Sequence, residues 1–311
     1  MTGPAVNSPP KPEREAVSSD RPFPKAGLAG YWELTKPRLS LLSVITALVG
    51  YLAARPETFF PVLHVFVGTS LAAGGAAVLN QWMERATDAR MSRTRDRPIP
   101  AGTVTPGRAL GFGLMLSVAG VGHLGYWLNG PAAGLALLTI VTYVVFYTPL
   151  KSRSGRSLEV GAVSGALPPL IGWAAAEGGV SGLGWILFGI LFFWQMPHFL
   201  AIAWLYRDDY ASVNFPMLTV VDVSGDRAAR YSLICSALLA GVTLLPFFLG
   251  WTGWFFLAAA VAGGGGFLWT AIRFLQSAER TKGARQLFYA SILHLPLILG
   301  ALVIDRLFSG N

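Results

Sequence analysis

"VLHVFVGTSLAAGGAAVLNQWMERATDARMSRTRDRPIP", residues 62–100, is the stretch whose reading decides the fold. Its first half, Val62 to Val78, is an apolar run ready to enter a membrane; its second half is dense with carboxylates and arginines. The whole chain has the same character. Its 311 residues are 53% hydrophobic and 13% charged, with a mean hydropathy of +0.52, whereas a soluble domain carries about a quarter charged residues. The apolar excess lies in long blocks, so the expected class is an all-α polytopic membrane protein, not one or two soluble domains. A net charge of +8 raises the question of nucleic acid, but the basic residues fall in short gaps between apolar runs. Topology control explains that pattern and a nucleic-acid-binding face does not. The single cysteine, Cys235, excludes an intrachain disulfide framework and a cysteine metal cage.

Apolar segments recur at about 39–54, 59–83, 109–128, 132–150, 158–176, 183–206, 231–250, 252–275 and 286–305. Nine transmembrane helices follow, since about 20 apolar residues cross the hydrocarbon. The first is short, and its start is drawn back towards Leu34 with a bend at Pro37. With the N-terminus inside, all but two of the 24 lysines and arginines fall on cytoplasmic segments, Arg55 and Arg306 being the exceptions. That bias predicts a cell-membrane protein with its N-terminus cytoplasmic and its C-terminus outside. Residues 1–29, rich in proline and charge, read as a disordered cytoplasmic arm and not a secretory signal peptide. Residues 30–311 form the nine-helix membrane domain. Two loops stand out, 84–108 and 207–230: both fall on the cytoplasmic side, begin with carboxylates and run to a proline, Pro98 or Pro216.

Asn80, Glu84 and Asp88 are four residues apart in turn. If the helix continues, they share one face at one turn, about 5.4 Å, of separation. Three oxygen donors at a water-exposed mouth suit a hard cation such as Mg²⁺, which shares one or two carboxylates with substrate phosphates. The arginines alongside, Arg85 to Arg97, would fork onto phosphate oxygens. The bland alternative is a solvated helix end laced with Glu–Arg pairs. In the second loop, Arg207, Asp208 and Asp209 fall on the same membrane face; adjacent aspartates diverge, so one of the two points inward. Asp222 and Asp226 flank Ser224-Gly225 and read as a turn. Gln195, Pro197 and His198 are polar or helix-breaking residues inside the sixth span, where such residues mark a pathway or site. His198 would ligate a metal, act as a base, or bond a carbonyl freed by Pro197. Tyr147 and Lys151 end the fourth span; the lysine obeys topology control by default and gains interest from sharing a face with both acidic loops.

Seven motifs in order carry a resemblance: "LTKPRL" at 34–39, the Asn80/Glu84/Asp88 series, "MSRTRDRPIP", "YTPLK", "GALPPLIGWAA", "FFWQMPHFLAIAW" and "DDY" followed by "PML". Together, over residues 30 to 230, they resemble the UbiA-type intramembrane prenyltransferases, and within these the protohaem IX farnesyltransferase (haem O synthase) branch. The resemblance implies nine helices ringed around a cavity open to the membrane, with a cytoplasmic cap over the acidic motifs. It implies that Asn80, Glu84, Asp88 and Asp209 hold Mg²⁺ and the pyrophosphate of farnesyl diphosphate. It also implies that Arg93, Arg97, Lys151, Tyr147, Arg207 and Asp208 bind that substrate or close the cap. His198 would belong to the haem side. Haem B is then the acceptor, the bilayer the setting, and a downstream haem-modifying enzyme or terminal oxidase assembly the receiver of the product. The chain departs from the branch at Val213-Asn214, where Ala-Gly is typical, at Thr219, where proline is usual, and at Ser157, a place often held by Asn. Two other readings compete: a relative acting on an aromatic acceptor such as a hydroxybenzoate or quinone precursor, and a transporter with polar residues along its pathway. "WQMPHF" and "GALPPLIGW" argue against the first, and charge gathered at one membrane face argues against the second.

Overall fold

The computed structural model describes residues 27–308, so the arm expected over residues 1–29 lies almost wholly outside the described residues. Fourteen α-helices and one π-helical turn follow in order: α1 (Leu28–Leu34), α2 (Pro37–Ala53), α3 (Pro61–Asp88), α4 (Pro106–Trp127), α5 (Gly130–Val141), the π-turn (Thr142–Tyr147), α6 (Thr148–Leu150), α7 (Ser157–Ala166), α8 (Pro168–Glu177), α9 (Gly182–Leu205), α10 (Arg207–Ser212), α11 (Leu218–Val221), α12 (Asp226–Phe248), α13 (Trp254–Gln276) and α14 (Arg280–Phe308). Eight of these helical stretches are long and apolar enough to cross a membrane, and α2 is a ninth, shorter apolar helix. The nine expected segments all appear. The fourth span is α5, the π-turn and α6 run together; the fifth is α7 and α8, divided at Pro168. Prolines open α2, α3 and α4, where a missing N–H costs nothing because the first turn has no partner for it.

Length explains why the polar motif sits where it does. With 28 residues, α3 is about 42 Å long at 1.5 Å per residue, more than the roughly 30 Å of hydrocarbon. About 12 Å of it exceeds that thickness, and Asn80, Glu84 and Asp88 occupy the last two and a half turns, at its polar end. Large exposed side chains such as Leu114, Val118, Trp185, Phe255 and Leu293 form the outer apolar surface, as lipid contact requires.

The helices close around a cavity of about 450 Å³, lined from α2, α3, α5, the π-turn, α7, α8 and α9, with Leu295 of α14 and the second loop. The helices α4, α12 and α13 supply no lining residue; they brace the ring from outside. Close approach shapes the "GALPPLIGWAA" segment. At Gly172 an added Cβ would lie 1.7 Å from the Ala47 carbonyl oxygen, so α8 and α2 meet backbone to backbone. At Gly165 it would collide with the Gln195 side chain, which donates to the Leu191 carbonyl of its own helix at 3.0 Å.

At the opposite end from the acidic row, the two exceptions to the charge pattern meet. Arg55 donates to the Arg306 carbonyl, and Arg306 donates to the Ala53 carbonyl at 3.1 Å. They clamp α2 to α14 through backbone acceptors.

Candidate active site

The acidic row is built as the spacing predicted, and each member is covered by a cation. Asn80 is buried; its Oδ1 accepts from Lys36 Nζ at 2.8 Å and its Nδ2 donates to Thr148 Oγ1 at 3.1 Å. Glu84 accepts from Lys151 Nζ at 3.1 Å. Asp88, 3% exposed, accepts from Arg97 at 2.7 Å. The bland reading of a solvated helix end fails on this burial. Carboxylates that deep need partners to offset desolvation, and the partners come from three different segments.

Lys36 is the residue that sequence reasoning missed: it stands in "LTKPRL" and among the topological charges, with no role at the site. It occupies the left-handed region (φ 47°) directly before Pro37, a conformation unfavourable for a non-glycine residue and disfavoured again by the following proline. Such strain persists where surroundings over-determine it, and the bond to Asn80 supplies one such restraint. Burial, then the nearby Arg97 guanidinium, push the Lys36 ammonium down to about 7, against the weaker pull of Glu84. The row is thus roofed by crowded positive charge that an incoming polyanion would relieve.

The second loop comes over this roof. Asp209 accepts from Ser92 Oγ at 3.0 Å, and its other oxygen lies 3.9 Å from Arg93 Nε. It joins loop to loop and makes no bond to the row itself. Met91 packs with Val213, Phe215 and Met217, with Tyr210 alongside, so an apolar knot holds the two loops together. Lys151 Nζ sits 5.2 Å from the Phe215 ring centre and Arg93 5.6 Å from that of Tyr206. Asn214 takes φ 56°, a conformation open to Asn and Gly, which accounts for Asn where Gly is typical. Thr219, in place of proline, donates to the Ala203 carbonyl at 3.0 Å. Ser157 is fully buried and its hydroxyl has no partner, as expected where a longer side chain is usual.

Asp208 and Arg207 stand apart from the row. Asp208 is exposed and pairs only with neighbouring Arg207 at 3.7 Å, while Arg207 lies over the Trp204 ring. Neither lines the cavity; Asn80, Glu84, Asp88, Arg97 and Asp209 do not line it either, whereas Lys36, Arg93, Tyr147 and Lys151 do. A helix as short as α10 turns adjacent side chains apart, and Asp209 took the inward direction. Asp222 closes a turn by accepting from the backbone N–H groups of Arg227 and Ala228, as read from the sequence.

Below the mouth the lining turns apolar. Tyr143 and Tyr147 stack at 5.3 Å on the π-turn and face the cavity beside Lys151; single π-turns recur at functional sites. Thr148 donates to the Tyr143 carbonyl at 2.8 Å, which ties this turn to Asn80. Tyr143 escaped sequence reasoning because nothing in "TYVVFY" announces a π-turn. Deeper, Ala72, Ala73, Ala76, Ala136 and Ile171 line the wall. His198 lines it too, but its Nδ1 meets Ser291 Oγ at 2.6 Å and not a carbonyl freed by Pro197. His64 and His123 meet each other at 3.2 Å at the far end.

Two carboxylates and an amide oxygen on one helix face are a hard-cation donor set. Among the described residues no three histidine, cysteine or carboxylate groups converge on a point. An ion here would complete its shell with water and phosphate oxygens, the usual habit of Mg²⁺.

The helices form a membrane-embedded ring with a charged mouth above an apolar chamber. Residues 43–293 match the UbiA prenyltransferase family, and the chain belongs to that family; it is a prenyltransferase. The relatives are more particular. Protoheme IX farnesyltransferase of Opitutus terrae is 57% identical over 93% of this chain and 99% of its own. That of Solibacter usitatus is 43% identical over 89% of this chain and 98% of its own. Among solved structures, digeranylgeranylglyceryl phosphate synthase shares the fold at a TM-score of 0.77 and 17% identity, covering 90% of this chain and 98% of that one. A UbiA homologue from Archaeoglobus fulgidus, bound to GPP and Mg²⁺, shares it at 0.58 and 11%, covering 88% and 99%.

Proposed function

We propose that the protein transfers a farnesyl group from farnesyl diphosphate to a vinyl group of haem B, with Mg²⁺ as cofactor, to make haem O. The observation that carries this reading is the interlocked mouth, three oxygen-bearing residues each covered by a cation above an apolar cavity. Such a mouth suits a diphosphate that arrives with a divalent ion, and the cavity suits the tail behind it. The relatives' names support farnesyl and haem as the two halves, and the GPP- and Mg²⁺-bound relative supports the metal.

Bound Mg²⁺ would neutralise the diphosphate and improve it as a leaving group. Asn80, Glu84 and Asp88 would hold the ion. Lys36, Lys151 and Arg97 are then released from their carboxylate and amide partners and turn to phosphate oxygens, joined by Arg93 on the cap. Asp209 holds the cap closed through Ser92 and Arg93. The allylic C1–O bond breaks, the diphosphate leaves with the electron pair, and positive charge develops on the farnesyl group beside the faces of Tyr143 and Tyr147. The vinyl carbon of haem attacks C1. Water adds to the resulting cation and a proton is lost to solvent, which leaves a hydroxyethylfarnesyl group. The apolar lining withholds water until that step. In this reading the acidic end faces the cytoplasm, and a haem-modifying enzyme or terminal oxidase assembly receives the product.

The test is to incubate the purified protein with haem B, farnesyl diphosphate and Mg²⁺ and to weigh the haem by mass spectrometry. The expected product carries one added hydroxyfarnesyl unit, and chelation with EDTA stops its formation until Mg²⁺ is restored. Unchanged haem, with transfer instead to a phenolic acceptor, would overturn the assignment.

A further inference from the structure

One group in the cavity wall is prepared more carefully than a packing residue requires. His198 stacks between two rings, Trp194 at 4.8 Å and 17° and Phe288 at 5.4 Å and 27°. Its Nδ1 lies 2.6 Å from Ser291 Oγ, and the same oxygen lies 2.6 Å from the Phe288 carbonyl. A serine hydroxyl has one proton to give. The Phe288 carbonyl can only accept, so at that separation the proton lies between those two oxygens. Ser291 Oγ must then accept from His198, which assigns the proton of the imidazole to Nδ1 and leaves Nε2 with a bare lone pair. Ser291 also holds the flanking ring, because its backbone carbonyl accepts from Trp194 Nε1 at 2.8 Å. One residue of α14 therefore sets the tautomer, the tilt and the stacking partner of a histidine on α9.

Two uses of that lone pair can be weighed. A general base would become an imidazolium with no carboxylate beside it, since none of the ion pairs among the described residues includes His198. Ser291 offers no relay either, since its proton ends on a backbone carbonyl. A partly buried charge with no counter-ion is less favoured there than a neutral ring. A metal ligand, by contrast, is a neutral imidazole whose other nitrogen donates a hydrogen bond that fixes tautomer and ring direction. We propose that Nε2 of His198 is an axial ligand to the iron of the haem substrate, and that Ser291 is the positioning residue that keeps it so. This rests on haem being the acceptor, as proposed above. The site then grips the porphyrin by its iron and leaves the vinyl edge free to reach the farnesyl C1.

Haem B bound to the purified protein in lipid nanodiscs reports on this directly. In the ferrous state, resonance Raman should show an iron–histidine stretching band that His198→Gly removes and added imidazole restores. Ser291→Ala should keep the band but shift it to lower frequency, with haem affinity down by ~10–100-fold, and Ser291→Thr should recover both. A purely structural role for Ser291 would move stability without moving the band. A wild-type spectrum unchanged by His198→Gly overturns the ligation. If that variant fails to fold, the unmodified protein still decides, because ligation requires haem B to bind more tightly than metal-free protoporphyrin IX, and equal affinities refute it. Failure to bind either porphyrin would instead bring down haem as the acceptor, and the ligation with it.

Discussion

Asp88 shows how far single residues can be read. Its place on a face with Asn80 and Glu84 was legible, because a four-residue spacing needs only a helix to become geometry. Its partner was not. Arg97 reaches it across the turn that follows α3, and no rule of spacing selects that arginine from its neighbours. Lys36 was less legible still, since it comes from a separate segment and touches the row only after α2 and α3 pack. Two substitutions separate these roles. Asp88→Asn retains an oxygen for Arg97 but loses the charge a metal needs. Turnover should fall by more than about 100-fold, beyond the usual cost of an outer-shell partner, and the melting point should fall as well because Arg97 loses its counter-charge, with the protein still folded in the membrane; diphosphate release and a melting curve check both. Lys36→Met keeps the stem and removes the ammonium. A hydrogen bond to a charged group contributes about 1.5–3 kcal/mol, so farnesyl diphosphate should bind roughly 10–100-fold more weakly by calorimetry, with Mg²⁺ still required.

At the scale of elements the spans were legible because hydropathy is a sum over about 20 residues and tolerates local irregularity. What the sum averages away was lost. The π-turn at 142–147 and the break at Pro168 lie inside apolar runs, yet they turn Tyr143 into the cavity and bring α8 against α2. Gly172 tests the second of these. Gly172→Ala puts a Cβ against the Ala47 carbonyl, and such overpacking costs about 1–3 kcal/mol; the unfolding midpoint should fall, with expression in the membrane retained. The slot along α3 makes a separate prediction about the substrate. From Glu84 down to Ala73 the helix descends about 16 Å at 1.5 Å per residue, and Ala73 lines the cavity wall. Ala73→Phe should block the tail there, so that farnesyl diphosphate turns over poorly while the shorter geranyl diphosphate is spared. Equal loss with both donors would mean that the tail runs elsewhere.

For the whole molecule, the charge distribution carries the claim about sidedness. The structure gives that pattern a second meaning. Most of the basic residues among those described gather at the end where the acidic row is roofed, so the cations that orient the chain and those that would bind substrate are partly the same residues. The two that lie outside the pattern, Arg55 and Arg306, are turned onto backbone carbonyls and clamp α2 to α14, which gives them a reason to stand on the far side. If the positive end faces the cytoplasm, a diphosphate made there reaches the mouth without crossing the bilayer. Exposed positions at the two ends decide the point: Glu57 in the loop before α3 and Asp96 in the loop after it are both open to solvent. In spheroplasts an impermeant maleimide should label Glu57→Cys at once and Asp96→Cys only after permeabilisation. The native Cys235 is buried and should stay dark in both. The reverse pattern would put the mouth outside the cell, where a cytoplasmic diphosphate could not reach it, and the proposed donor would have to be abandoned along with the orientation.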